Sequence, residues 1–246
     1  GHGGWPMTVI ATPDGQPFFA GTYFPPESRP GQPGFDVVLR EIAGVWRSNR
    51  ERVHEIGRNV IDHLTRVLQP TSSPSIDSSL AERAILELRA RHDERWGGFD
   101  GAPKFPPHAA LRLLITRVKS MPDEGAKGMI QSTLDHMLAG GIHDHLGGGF
   151  ARYSTDERWH VPHFEKMLYD NAQLLHCYAQ AAVLWGNEEY RAVALGIAGF
   201  LATEMTDSQG GFYTAIDADS EGEEGRYYVF TWREVKDALP EREASA

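Results

Sequence analysis

A Gly-Gly-Phe element that occurs three times limits the folds open to this chain. The elements begin at Gly97, Gly148 and Gly210, so the intervals are 51 and 62 residues long. Apolar residues between them recur with the period of amphipathic helices, which is typical of repeats whose helix pairs bury each other's faces. The sequence therefore predicts antiparallel helix pairs that can close into an (α/α) toroid, with the glycine loops at one rim. Glycine in these loops either permits close approach of a ligand or simply ends each helix.

Capping residues and prolines mark where the helices of this region begin. Serine or threonine three residues before glutamate forms a capping box, aspartate and asparagine are preferred N-caps, and proline suits a first helical position. These signals predict helices that start at Ser79, Pro107, Asp123, Pro162, Asn187 and Thr231. Strands are predicted after the third glycine loop, over residues 212–216 and 226–231.

The first seventy residues have a different pattern. The β-rich runs at residues 7–12 and 16–23 flank the turn signal Pro13-Asp14-Gly15, so they predict a hairpin. Apolar residues from Val38 onward keep a helical period, with a break predicted near Ser48-Asn49.

A proline- and serine-rich stretch at residues 69–75 separates these two patterns. Segments of this composition are typical of domain boundaries. The sequence therefore predicts three parts, which are residues 1–70, a linker at 71–78 and a helical part at 79–246. Because the chain opens without methionine and enters strand-like sequence almost at once, we expect it to be a fragment of a longer protein.

Composition argues against several classes of partner. The net charge is −10, so the cationic footprint of a surface that binds nucleic acid or an anionic membrane is missing. No apolar run approaches the roughly 20 residues of a membrane span. Cys177 is the one cysteine, which excludes a disulfide framework and favours a reducing, cytoplasmic compartment. Within an apolar helical run, this thiol is expected to pack rather than to react.

The stretch from Gly140 to Leu175 is dense in groups that titrate, hydrogen-bond or stack, and it leads into the helix predicted at Pro162. Six of its residues are candidate catalytic groups: His143, His145, His160, His163, Glu165 and Asp170. Aromatic side chains suited to sugar faces, and polar residues of the other loops, are candidate substrate-binding groups: Trp96, Lys104, Phe150, Tyr153, Trp159, Tyr169, Asp217 and Asp219. Because the loops of one toroid rim surround a common axis, we expect these side chains to converge.

Three chemistries fit these residue types, and the spacing selects none of them. A pair of histidines can deprotonate and reprotonate a sugar carbon, because imidazole titrates near neutral pH. Paired carboxylates can hydrolyse a glycosidic bond. The pairs His143-x-His145 and His160-x-x-His163 can chelate a metal, but no HExxH or cysteine-rich pattern supports a metal site, so none is assigned. A structural role for each histidine stays open, and no cofactor is indicated.

Three long motifs carry a resemblance to a known family. They are WGGFDGAPKFP at residues 96–106, GGIHDHLGGGFARYSTDERWHVPHFEKMLYDNAQLL at 140–175, and GGFYTAIDADSEGEEGRYYVFTW at 210–232. In this order they resemble the spermatogenesis-associated protein 20-like family, and the match covers nearly the whole chain. The resemblance implies a thioredoxin-like domain fused to an (α/α)6 toroid of the N-acylglucosamine 2-epimerase and six-hairpin glycosidase type.

The resemblance also sets the expected fold class, which is multidomain α+β. Residues 1–70 resemble the C-terminal half of a thioredoxin-like α/β domain, and about three helix pairs follow as a mostly helical, incomplete (α/α)6 toroid. Gly3-Gly4-Trp5-Pro6-Met7-Thr8 resembles the cis-proline loop of the thioredoxin fold, which implies a cis bond between Trp5 and Pro6. The chain departs from that fold because it has no CxxC motif.

Two functional hypotheses follow. The leading one is an enzyme, of the sugar epimerase/isomerase or glycosidase type, that acts on an uncharged or weakly anionic sugar-like small molecule. The second is a thiol-redox or chaperone-like binding protein, in which a non-catalytic toroid recruits a protein thiol partner. A CxxC motif upstream of Gly1 would favour the second hypothesis.

Overall fold

The computed structural model describes residues 6–69 and 79–240 of this chain. Two compact units are present, Gly1–Ser75 and Ile76–Ala246. Trp5, its bond to Pro6 and the linker predicted at 71–78 lie outside the described residues, so those expectations stay predictions. Within the described ranges no helix combines the length and apolar character that a membrane crossing requires.

The first unit is a hairpin with two helices. The antiparallel strands β1 and β2 are Thr8–Ala11 and Pro17–Gly21, and the helices α1 and α2 are Phe35–Ser48 and Arg50–Leu68. Asn49 separates the helices, and its side chain accepts a hydrogen bond from the Arg52 N–H. The hairpin and the helix break are therefore confirmed.

The second unit is mainly helical. Its helices are α3 Ser79–Arg91, α4 His108–Ser120, α5 Glu124–Ala139, α6 Leu168–Trp185, α7 Glu188–Thr203 and α8 Trp232–Ala238. Short antiparallel strands lie in the connecting segments: β3 Tyr153–Ser154 with β4 Pro162–His163, β5 Lys166–Met167 with β6 Ala215–Ile216, and β7 Asp219–Ser220 with β8 Glu223–Glu224. The loops that follow α3, α5 and α7 are the glycine loops of the sequence.

Helix packing makes one hydrophobic core in this unit. Helix α4 contacts α5 and α6, and α6 packs along α7. Fully buried residues from several helices meet in the core, among them Leu114, Ile130, Leu174, Tyr178 and Ile197. Because α4 and α6 lie side by side, their N-terminal ends can present side chains to a common place.

Each Gly-Gly-Phe element closes a turn around an aspartate. In the first turn the Asp93 N–H donates to the Gly98 carbonyl at 3.0 Å, and the Gly97 N–H donates back to the Asp93 carbonyl at 2.9 Å. The same pair of bonds recurs in the other two turns: Asp144 with Gly149 and Gly148, and Asp207 with Gly211 and Gly210. We call these segments, residues 92–99, 143–150 and 206–212, the glycine turns.

A buried lysine ties down each of the first two glycine turns. The Lys104 ammonium donates to the Asp93 carboxylate at 2.5 Å and to the Gly97 carbonyl at 2.8 Å, and its side chain is fully buried. Lys166 makes the equivalent pair with Asp144 at 2.7 Å. Lys104 was predicted to bind substrate; the structure instead places its ammonium in the interior, where it is bonded to Asp93 and Gly97 of the chain.

The third glycine turn has no such lysine. There the Asp207 carboxylate accepts a hydrogen bond from the Tyr213 hydroxyl at 2.8 Å, and both side chains are exposed. The first two turns therefore share a backbone conformation, whereas the third is one residue shorter and is held differently.

Glycine in the first two turns serves packing. Gly97 and Gly148 have φ of +64° and +76°, and a Cβ atom on them would lie 2.6 Å from the Ser132 carbonyl oxygen and 2.7 Å from the Gly196 carbonyl oxygen. The space beside these two glycines is filled by the chain, which favours a packing role at the helix ends over the alternative of close approach by a ligand.

Two predicted elements differ from the structure. The helix predicted from Pro162 begins instead at Leu168, because Pro162 pairs with Ser154 between β3 and β4 and Lys166 extends inward to its aspartate. Residues 226–231 form no strand, because Tyr228 and Val229 both donate to the Gly225 carbonyl in a turn. Tertiary pairing overrides local propensity in both places.

Candidate functional site

A histidine and an aspartate lie next to each other where helices α4 and α6 begin. His108 is the first residue of α4 and Asp170 lies in the first turn of α6. His108 Nε2 lies 3.3 Å from Asp170 Oδ1, with 13% of the His108 side chain and 5% of the Asp170 side chain exposed. Asn171 anchors this end of α6, because its side chain both donates to and accepts from the Phe150 backbone.

Burial raises the pKa of Asp170 and lowers that of His108, so both groups favour their neutral forms. Desolvation raises the pKa of Asp170 to about 7, opposed by the charge of Arg152 and assisted by that of Glu165. Desolvation alone lowers the pKa of His108 to about 4. A carboxylic acid with a pKa near 7 can both give and take a proton at neutral pH, which is the property of a general acid–base group.

Unsatisfied polar atoms are concentrated at this place. Among the described residues, buried His108 Nε2, Asp170 Oδ2 and Arg152 Nε have no hydrogen-bond partner. Each such atom costs about 1–3 kcal/mol of stability. Unsatisfied buried atoms call for an explanation, and a ligand or an ordered water at this place would satisfy these three.

A chain of charged groups continues from the pair. Arg152 Nη1 donates to Glu165 Oε2 at 2.6 Å, and His163 Nε2 lies 3.7 Å from the same oxygen. His163 Nδ1 lies 2.7 Å from Glu224 Oε1. The rim cluster, as we name it, consists of His108, Arg152, His163, Glu165, Asp170 and Glu224.

Aromatic rings border the rim cluster. Tyr153 stacks on His163 with ring centroids 4.9 Å apart, and Phe105 lies 4.7 Å from Tyr153. Tyr169, next to Asp170, is half exposed, as is Phe105. These rings supply apolar surface beside titratable groups, which is the composition of a small-molecule site.

The structure brings together five of the residues predicted for the site: His163, Glu165, Asp170, Tyr153 and Tyr169. Sequence reasoning missed His108, Arg152, Glu224 and Phe105. The first and third loops reach the rim cluster through other residues, because His108 and Glu224 belong to it and Phe105 borders it.

Two of the other predicted aromatics, Phe150 and Trp159, lie in the core. Phe150 and Trp159 have no exposed surface, and the Trp159 indole N–H donates to the Trp96 carbonyl at 2.8 Å. Their ring faces are covered by the chain, so they cannot stack on a sugar in this structure, contrary to the prediction.

Three predicted catalytic histidines lie away from the rim cluster. His143 Nδ1 is 3.0 Å from the Leu138 carbonyl, its ring stacks on Phe150, and burial lowers its pKa. His145 contacts the Gly140 carbonyl at 3.2 Å. For these two the structural interpretation is favoured. His160 and Trp96 line a separate groove of about 540 Å³.

The predicted acids of the third loop also lie elsewhere. Asp217 and Asp219 line a cavity of about 390 Å³ together with Lys166 and Tyr228. No hydrogen bond or ion pair among the described residues joins them to His163 or Asp170, although Asp219 pairs with Glu224 across β7 and β8. No set of three or more His, Cys, Asp or Glu side chains within the described ranges is arranged to hold a metal ion.

Cys177 is fully buried in the core, and burial raises its pKa to about 12. We expect this thiol to be inert toward a thiol reagent such as dithionitrobenzoate in the native protein and to react after unfolding, because the thiolate is the reactive species. Rapid labelling of the native protein would contradict the packing role.

The chain should also fail to turn over insulin disulfides, since that mechanism needs a second, resolving thiol.

The comparisons with solved structures agree with the helical architecture. A sugar epimerase from a ruminal bacterium superposes with a TM-score of 0.51 at 14% identity, over 58% of this chain and 43% of that chain. Cellobiose 2-epimerase from Spirochaeta thermophila gives a TM-score of 0.50 at 19% identity, over 60% of this chain and 42% of that chain. The second unit thus has the fold of part of an (α/α)6 epimerase toroid. The family model Thioredox_DsbH, described as a protein of unknown function (DUF255), matches residues 1–65.

Sequence comparison then points to a family. Human spermatogenesis-associated protein 20 is 43% identical over 97% of this chain, and its mouse counterpart is 42% identical over the same share. This chain is thus similar over nearly its whole length to the spermatogenesis-associated protein 20-like family, and it combines a thioredoxin-like part with part of an (α/α)6 toroid. It spans about a third of the length of these relatives, namely 32%.

Proposed function

We propose that the rim cluster binds an uncharged sugar-like molecule and transfers a proton at the carbon next to its carbonyl group, as a sugar epimerase or isomerase does. The observation that carries this proposal is the buried His108–Asp170 pair, in which the pKa of Asp170 is raised to about 7. A group of this kind is suited to exchange protons with a neutral substrate. The shared fold with sugar epimerases supports the same class.

The charges of the cluster favour an uncharged ligand. Arg152, the permanent cation of the rim cluster, is already paired with Glu165. Glu224 and Glu165 both face His163. A phosphate or carboxylate on the ligand would therefore meet two carboxylates and a guanidinium whose charge is already paired, whereas sugar hydroxyls can hydrogen-bond to these groups.

Deuterium exchange tests the proposal without knowledge of the substrate. The protein is incubated in D₂O with a panel of reducing monosaccharides and disaccharides, and deuterium at the carbon next to the carbonyl is measured by NMR. We expect exchange on at least one sugar, and we expect Asp170→Asn to lower its rate by about 10²- to 10⁴-fold, the usual contribution of a general acid–base group.

Asp217→Asn is the matched control, because Asp217 lines the other cavity, and it should retain the wild-type rate. Loss of exchange in Asp217→Asn with retention in Asp170→Asn would move the site to that cavity.

The alternative is a binding protein whose toroid is not catalytic. The match of a thioredoxin-type family model to residues 1–65 favours it, and a protein thiol would then be the partner. Binding of a sugar without deuterium exchange, or capture of a thiol protein by a toroid that binds no sugar, would support this alternative over the enzyme.

A further inference from the structure

We propose that Glu224 is a positioning residue for His163 and holds the imidazole with Nε2 free to accept a proton; this inference rests on the proposed function of the rim cluster. Glu224 Oε1 lies 2.7 Å from His163 Nδ1. An ionised carboxylate only accepts hydrogen bonds, so Nδ1 must be the donor. A neutral imidazole carries one N–H, and its Nε2 lone pair is then left for the ligand.

The surroundings of Nε2 agree with this assignment. His163 Nε2 lies 3.7 Å from Glu165 Oε2, which is beyond hydrogen-bond distance. That oxygen accepts from Arg152 Nη1 at 2.6 Å. Arg152 therefore keeps Glu165 from capturing Nε2, and one imidazole nitrogen remains uncommitted.

Stacking against Tyr153 fixes the plane of the His163 ring. Tyr153 is the β-pair partner of His163 and stacks on it at 4.9 Å with an interplanar angle of 21°. Phe105 packs on the far side of Tyr153. His163 nevertheless keeps 27% of its side chain exposed, so a ligand can reach it.

The position of Glu224 is also held. It lies on β8, and the next residue, Gly225, has φ of +73°. A Cβ atom on Gly225 would lie 2.5 Å from the Phe164 ring, and Phe164 stacks on Tyr228 at 5.6 Å. The hairpin is thus docked against the residue that follows His163.

The proton transfer served by this arrangement balances without an oxidant. His163 Nε2 takes the proton from the carbon next to the sugar carbonyl, so a C–H bond breaks and an N–H bond forms. The electron pair of that C–H bond becomes the C=C bond of an enediolate, and the carbonyl π pair moves to oxygen. Protonated Asp170 then donates a proton to the enediolate, which gives the product. The imidazolium, stabilised by the Glu224 carboxylate, afterwards passes its proton through solvent to the Asp170 carboxylate, so both groups return to their starting forms.

The tautomer of His163 tests the inference without a substrate. In ¹⁵N-labelled protein at alkaline pH, where imidazole is neutral, long-range ¹H–¹⁵N correlations should show Nδ1 protonated and Nε2 unprotonated. Glu224→Leu removes the acceptor, so we expect the signal to shift to the Nε2-protonated form that dominates in free histidine. Glu223→Leu, on the same strand and exposed, should keep the wild-type tautomer.

The deuterium-exchange rate gives the second readout, and Glu224→Leu should lower it about tenfold or more. An Nε2-protonated His163 in the wild type, or an unchanged tautomer in Glu224→Leu, would overturn the inference. A correct tautomer with no exchange on any sugar would leave the Glu224–His163 pair in place and count only against the enzymatic function.

Discussion

Asp170→Asn and His108→Gln should give opposite dependences of stability on pH between pH 4 and 6.5. For Asp170→Asn we expect the free energy of unfolding, relative to wild type, to rise by about 3 kcal/mol from pH 4 to 6.5. For His108→Gln we expect a fall of about the same size. Denaturant titrations at several pH values measure both.

Proton counting gives these signs. In the unfolded chain between pH 4 and 6.5, an aspartate of ordinary pKa about 3.9 is ionised and a histidine of ordinary pKa about 6.5 is protonated, so the pair holds one proton. In the folded protein the pKa of Asp170 is about 7 and that of His108 about 4, so the pair again holds one proton. The wild-type pair therefore adds no pH dependence in this window.

Each single variant leaves only one of the two groups to titrate, so the number of bound protons then differs between the folded and unfolded states. In Asp170→Asn, the unfolded His108 binds a proton that the folded one does not, so stability is lost as pH falls toward 4. In His108→Gln, folded Asp170 keeps a proton that the unfolded one has released, so stability is lost as pH rises toward 7. The double variant should return to the wild-type profile, and parallel slopes in the two single variants would contradict the pairing.

Local signals in the sequence predicted the helices well. Asp123 and Asn187 were expected as N-caps, and their side chains accept from Ala126 and from Glu189 and Tyr190 as expected. A cap involves groups within one turn of chain, so its energy can be read from neighbouring letters. Pro162 has the same local signal, but its strand pairing with Ser154 depends on the folded loop.

The residues of the candidate site also differ in whether local sequence could predict them. His163, Glu165 and Asp170 could be predicted because they share one loop dense in titratable groups. His108 and Glu224 could not, because each joins through a contact between distant parts of the chain. The burial of Lys104 could not be predicted for a related reason, since nothing in its local sequence shows that its charge is buried against Asp93.

The pair of Lys104 and Asp93 leads to the second large effect. We expect Asp93→Asn to destabilise the second unit by about 3 kcal/mol or more, because removal of one partner leaves a buried charge uncompensated. The lysine side chain is fully buried, whereas 21% of the aspartate side chain is exposed. Lys104→Met should therefore cost less than Asp93→Asn, since the charge that it leaves behind can still reach water and two backbone N–H donors.

Three variants measured by denaturant unfolding decide whether this pair acts as described. Adding Lys104→Met to Asp93→Asn should recover part of the lost stability, because the stranded ammonium is removed. Asp207→Asn is the matched control in the third glycine turn, where the partner is an exposed tyrosine hydroxyl, and it should cost about 1 kcal/mol or less. Equal losses in Asp93→Asn and Asp207→Asn would mean that the backbone turn alone holds these loops and that the buried lysine adds nothing. A larger loss in Lys104→Met than in Asp93→Asn would instead show that the ammonium matters for its packing among the core residues rather than for its charge.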